Sequence, residues 1–192
     1  MNKNYLIYIL IYINIPILAQ DASFSFTSND FVNITNDASL QAETGMTIEC
    51  WVNSESDTYT DYAPLVHYFR LGGPTEMSGF TLQYFDGKLR FMISVGGGNY
   101  DFVGDGLALW PGTTLDQGVW THIAGTYDVA TGQAKIFKNG VEQASFATEG
   151  GNLNWEFIDT TDMKIGKSEM NPGTGDTFFN GGIDEVRLWK RA

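Results

Sequence analysis

The chain has 192 residues, with 23 acidic side chains against 11 basic ones and a single cysteine. Its net charge of −12 repels nucleic acid and anionic lipid, and suits divalent cations, neutral ligands or plain solubility. One cysteine excludes an intramolecular disulfide, and none is required, because a chain of this size buries roughly 70% of its unfolded surface without one.

The first residues read as a leader. Lys3 supplies a positive start, Tyr5 to Leu18 is apolar except for Asn14 and Pro16, and Ile17 and Ala19 stand at −3 and −1 before Gln20. This predicts a secretory signal peptide over residues 1–19 and one domain over residues 20–192, placed outside the cell. The apolar run is shorter than the ~20 residues a spanning helix needs. No later segment could span a membrane, so no insertion is expected.

Phe24 and Phe26 alternate with serine, as a half-buried strand should, and Asn29-Asp30 makes a turn before a second short strand at Phe31 to Ile34. Met46 to Asn53 is a strand in which Ile48, Cys50 and Val52 point one way and Thr47, Glu49 and Trp51 the other. Cys50 is thereby expected to be a small buried thiol. A polar loop, Ser54 to Tyr62, leads to a strand from Pro64 to Arg70, and Gly72-Gly73-Pro74 is a break. Asp86-Gly87 is the turn of a hairpin whose arms are Phe80 to Phe85 and Lys88 to Val95. Tyr100 to Trp110 reads as irregular strand and loop. Val119 to Phe146 is a three-stranded meander whose second turn, Asn139-Gly140, meets the positive-φ demand of a type I′ turn. A short strand at Asp162 to Ser168 and a closing one within Phe178 to Trp189 complete the pattern. No helix of ordinary length shows a 3.6-residue period, so the fold class is all-β, a sandwich of short antiparallel strands.

Three stretches carry a resemblance. Trp120-Thr-His-Ile-Ala-Gly-Thr-Tyr-Asp followed by Lys138-Asn-Gly, Met46 to Asn53, and Gly182 to Lys190 resemble, in that order, the central, early and closing strands of laminin-G-like, concanavalin A-like jelly-roll domains. The resemblance implies a two-sheet antiparallel jelly roll over about Ser23 to Ala192. It does not select among the lectins, adhesion modules, glycosidases and spacers that share this architecture.

Asp184 reads as lying on one face with Val186 and Leu188, where a carboxylate needs a partner. Backbone N–H groups or a basic side chain are two such partners, and Ca²⁺ is a third. The resemblance implies a structural calcium between Asp184 and the Asn29-Asp30 turn, with Asp30 as the second carboxylate; Thr27 departs from the family's Asp-Gly in that region. Aromatic rings beside acidic and amide groups suit sugars, which stack an apolar face on a ring and hydrogen-bond through their hydroxyls. The candidates are Asp57, Tyr59, Asp61 and Tyr62 in one loop, Asn99 and Tyr100 in another, and Trp110, with Trp155 as a further ring. Catalysis lacks a motif: the Glu-x-Asp-x-Glu strand of concanavalin-like glucanases is absent, and His67 and His122 show no zinc spacing. The expectation is a secreted, non-catalytic module for a glycan or an extracellular partner. A divergent glycoside hydrolase and a spacer or adhesion module of a larger surface protein are the alternatives.

Overall fold

The computed structural model describes residues 23–27, 29–56, 62–73, 76–85, 88–96, 114–148, 150–169 and 175–192. Its strands are β1 (Phe24–Phe26), β2 (Val32–Ile34), β3 (Gly45–Ser54), β4 (Ala63–Gly73), β5 (Glu76–Phe85), β6 (Lys88–Ile93), β7 (Thr121–Asp128), β8 (Gln133–Lys138), β9 (Val141–Ala147), β10 (Met163–Ile165), β11 (Lys167–Ser168), β12 (Thr177–Phe178) and β13 (Gly181–Trp189). One 3₁₀ turn, Ala38–Leu40, capped by the Asp37 carboxylate, is the only helical element among the described residues. Six strands form one antiparallel sheet in the order β1-β13-β3-β7-β8-β9, and five form a second in the order β2-β10-β4-β5-β6.

The expected meander is present. β8 and β9 pair with Lys138 opposite Val141, and Asn139 and Gly140 take φ values of 50° and 74°, the type I′ geometry. The turn is also tied to the next strand: Asn139 Oδ1 accepts from the His122 N–H at 2.9 Å, and the Asn139 N–H donates to the His122 carbonyl at 2.8 Å. The turn dipeptide thus fixes the start of β7 as well as its own hairpin.

The two sheets enclose a core of Met46, Ile48, Cys50 and Val52 from β3, Ile123 and Tyr127 from β7, and Phe80, Leu82, Tyr84, Leu89, Phe91 and Ile93 from the opposite sheet. Each large apolar side chain removed from water here contributes on the order of 2 kcal/mol. The alternation read for β3 holds, since Thr47, Glu49 and Trp51 lie on the other face. At Gly125 the two sheets pack closely: a Cβ there would stand 2.5 Å from the Phe91 ring. Burial drives the Cys50 thiol up to about 12, with the Glu49 charge adding to it, so it stays protonated and inert.

Several boundaries differ from the expected ones, β5 starting at Glu76 rather than Phe80 among them. β4 runs on to Gly73, so the two glycines extend the strand. Gly166, at φ 82°, divides the expected Asp162–Ser168 strand into β10 and β11; the Phe26 ring lies 2.6 Å from where a Cβ would be. β13 starts at Gly181 and is broken by a bulge. Asp184 pairs with Trp51 and Arg187 with Glu49, which leaves Glu185 and Val186 opposite the single Cys50.

That bulge corrects the reading of Asp184. Simple alternation puts Asp184 on the face of Val186 and Leu188. With one residue inserted, Val186 and Leu188 pack on the core as Ile183 does, and Asp184 falls on the outer face beside Trp51. Glu185 absorbs the change at φ 49°, a region costly for a residue with a Cβ. The Asp184 carboxylate accepts from the Glu185 N–H at 2.7 Å, satisfying a donor that the ladder leaves free.

Candidate functional site

The outer face of the six-stranded sheet holds a hollow of about 490 Å³ lined by Ser23, Trp51, Trp120, Asp184 and Glu185. Four separate stretches of chain deliver these residues. Trp51 comes from the outward register of β3. Asp184 and Glu185 come from the bulge of β13, and Ser23 from the start of β1, just beyond the Phe24–Ile183 pair. Trp120 is placed by a turn: the Gly118 N–H donates to the Ser54 carbonyl at 2.9 Å, and the Val119 N–H to the Asp116 carbonyl at 3.2 Å. The Trp120 ring then lies over Gly182, where an added Cβ would come within 2.7 Å of it. Gly182 is needed here because it has no side chain. The two indoles are 37% and 39% exposed, so part of each ring is accessible to a ligand.

A network beside the hollow stiffens one wall. The Trp51 and His122 rings are 5.4 Å apart, and His122 Nε2 lies 3.3 Å from Glu49 Oε2. Glu49 also accepts from Trp189 Nε1 at 3.0 Å and faces Arg187 at 3.8 Å, while Arg187 pairs with Glu185 at 2.9 Å. His122 is therefore a surface residue with a structural partner.

Asp30 lies elsewhere. Its carboxylate accepts from the Thr27 hydroxyl and N–H, and these bonds, the hydroxyl first, hold it below the usual carboxylate range. Asp184 stands level with Ser23, and the strand between Ser23 and Thr27 spans ~13 Å. Antiparallel pairing of β1 and β13 thus puts the Thr27–Asp30 turn and Asp184 toward opposite ends of β1. Among the described residues no group of three or more His, Cys, Asp or Glu side chains converges on a metal-sized site.

Of the expected sugar contacts, Tyr62 lies half-buried just before β4. Asp57, Tyr59, Asp61, Asn99, Tyr100 and Trp110 lie outside the described residues. Trp155 is structural: its Nε1 donates to the Ala42 carbonyl at 2.9 Å, and its ring packs 5.8 Å from Tyr68 and 6.4 Å from Phe80. Trp51 and Trp120 were not among the expected contacts. The outward parity of Trp51 was a visible signal. Trp120 had only its place behind the Gly118 turn.

The five-stranded sheet also turns polar residues away from the core, but these are buried. Lys164, His67, Thr81 and Met92 stand in one cross-strand row, with Gln83 and Arg90 in register on β5 and β6. His67 Nδ1 and Thr81 Oγ1 are 3.2 Å apart; Thr81 Oγ1 donates to the Val66 carbonyl, and Gln83 Nε2 lies 3.7 Å from Met92 Sδ. Burial lowers His67 to about 3, with the Lys164 charge acting the same way, so the ring is neutral.

Two packed antiparallel sheets with an aromatic hollow on one outer face define a β-sandwich of the lectin-like class. A profile described as the Concanavalin A-like lectin/glucanases superfamily, of laminin-G type, matches residues 26–192. The chain belongs to that family. No curated protein matches it. Similar solved structures include a Ruminococcus gnavus IT-sialidase CBM40, 17% identical over 88% of this chain and 90% of that one, TM-score 0.64. A Bacteroides ovatus protein proposed to bind carbohydrate is 20% identical with a TM-score of 0.62; the match covers 88% of this chain and 43% of that one. Domain 4 of AbnA, a GH43 extracellular arabinanase from Geobacillus stearothermophilus solved with arabinotriose, is 23% identical over 77% of this chain and 61% of that one, TM-score 0.51. At these identities the likeness is one of fold.

Proposed function

We propose that this protein is a non-catalytic, exported glycan-binding module whose site is the Trp51–Trp120 hollow. The observation that carries the reading is two part-exposed indoles beside outward-facing carboxylates in one concavity. The indole faces offer stacking area for the apolar side of a pyranose, and Asp184, Glu185 and Ser23 offer acceptors and a donor for its hydroxyls. The β13 bulge supports it as well. A non-glycine residue at positive φ carries a local cost, and here that conformation brings Asp184 to the ligand side of the sheet. The carbohydrate-binding modules among the similar folds agree with a glycan partner. The basic-then-apolar leader of residues 1–19 supports export.

Affinity electrophoresis against a panel of soluble polysaccharides tests this reading. At least one polysaccharide should retard the wild type, and Trp51→Ala should remove the retardation. Migration unaffected by every polysaccharide, or retardation indifferent to Trp51→Ala, would sink the assignment.

A further inference from the structure

The charges around the hollow give it a selectivity that its shape alone does not. Among the described residues Asp184 and Glu185 are its charged lining residues, and no described lysine or arginine lines it. Arg187, which pairs with the lining residue Glu185 at 2.9 Å, is also held by Glu49 at 3.8 Å. Among the described residues no lysine, arginine or histidine pairs with Asp184. Among the described residues its hydrogen bond comes from the Glu185 N–H, which leaves acceptor capacity on a carboxylate that lines the hollow. His122 lies tilted against Trp51 and is engaged by Glu49. The field at the site is therefore negative, in a chain of net charge −12.

Resting on the glycan-binding reading above, we propose that the Trp51–Trp120 site takes pyranose glycans without carboxylates, neutral or amine-bearing, and rejects uronate- and sialate-bearing ones. Hydroxyls and ammonium groups donate to Asp184 and Glu185, and an ammonium also gains from an indole face. A sugar carboxylate meets like charge with no cation to offset it, and such repulsion separates partners that share a shape.

The test is a glycan array carrying neutral, amine-bearing, uronate-bearing and sialylated glycans, probed with wild type, Trp51→Ala and Asp184→Asn/Glu185→Gln. The amide variant keeps the acceptor that holds the Glu185 N–H; Asp184→Asn alone serves if the double variant melts early. The expected result is Trp51-dependent binding confined to neutral and amine-bearing glycans, with acidic counterparts at least about tenfold weaker. The amide variant should narrow that gap, as should added salt. Trp51-dependent binding of acidic glycans as strong as neutral ones overturns the selectivity and leaves the glycan-binding reading standing. A gap unchanged in the amide variant removes Asp184 and Glu185 as its cause. No Trp51-dependent signal on any glycan ends both readings.

Discussion

The outer faces of the two sheets are built from the same alternating strands and meet different surroundings. On β3 the alternation separates a buried row, Met46, Ile48, Cys50 and Val52, from an outward row of Thr47, Glu49 and Trp51 that reaches water. On β5 the corresponding outward residues, Thr81 and Gln83, are as buried as the core residues Phe80 and Leu82. The polar groups differ accordingly. Glu49, half-buried, faces His122 at 3.3 Å and Arg187 at 3.8 Å where solvent still screens these contacts. His67 and Thr81 hydrogen-bond within the sheet, and the His67 ring is kept neutral. A two-residue period says which side chains share a face. It does not say whether that face meets solvent.

Four outcomes would break or sharpen this contrast. The largest is on the open face. Trp51→Ala combined with Trp120→Ala should weaken binding of a retained glycan at least hundredfold, about 2.7 kcal/mol, while the melting temperature changes by only a few degrees. Calorimetric titration with a parallel thermal melt checks it; a collapse in stability would show the indoles to be core rather than surface.

The next concerns the closed face. His67 has a folded-state pKa of about 3, below its ordinary value of 6.5, so the unfolded chain takes up a proton that the folded one refuses. Its contribution is complete above pH ~6.5 and is lost as pH falls toward 3, at about 1.4 kcal/mol per pH unit. Urea unfolding of wild type and His67→Gln at pH 7 and pH 4.5 should show the wild type losing more stability on acidification. Equal losses would mean that His67 is not buried as a neutral ring.

Gly182→Ala returns to the hollow. The new methyl would stand 2.7 Å from the Trp120 ring and push it aside. Affinity should fall roughly tenfold, about 1.4 kcal/mol, and intrinsic tryptophan fluorescence should shift. Unchanged affinity would take Trp120 out of the site. The smallest effect is expected from Glu49→Gln, which weakens the contacts to His122 and Arg187. Because these are surface pairs, unfolding in urea should show a loss of under ~1 kcal/mol; a loss of several would mark the network as part of the folding core.

Much of the fold was legible before any coordinates, and for a local reason. Asn139-Gly140 has one favourable hairpin geometry, β3 alternates by residue type, and these depend on neighbours within a few positions. The hollow was legible only in part. Asp184 stood out as a carboxylate that alternation placed on the face of Val186 and Leu188, but its face was misread, because a bulge arises from the pairing of two strands and simple alternation does not contain it. Trp51 had the right parity and nothing to say what would stand opposite.

The sequence by itself determined most strands, the hairpins and the buried Cys50, because each rests on short-range chemistry and side-chain periodicity, and its motifs carried the resemblance to laminin-G-like jelly rolls. Only the tertiary structure decided that Ser23, Trp51, Trp120, Asp184 and Glu185 share one hollow. It also decided that Asp184 turns to the outer face of its sheet. Both follow from which strands become neighbours, and that is settled by the packing of the whole sandwich around its core.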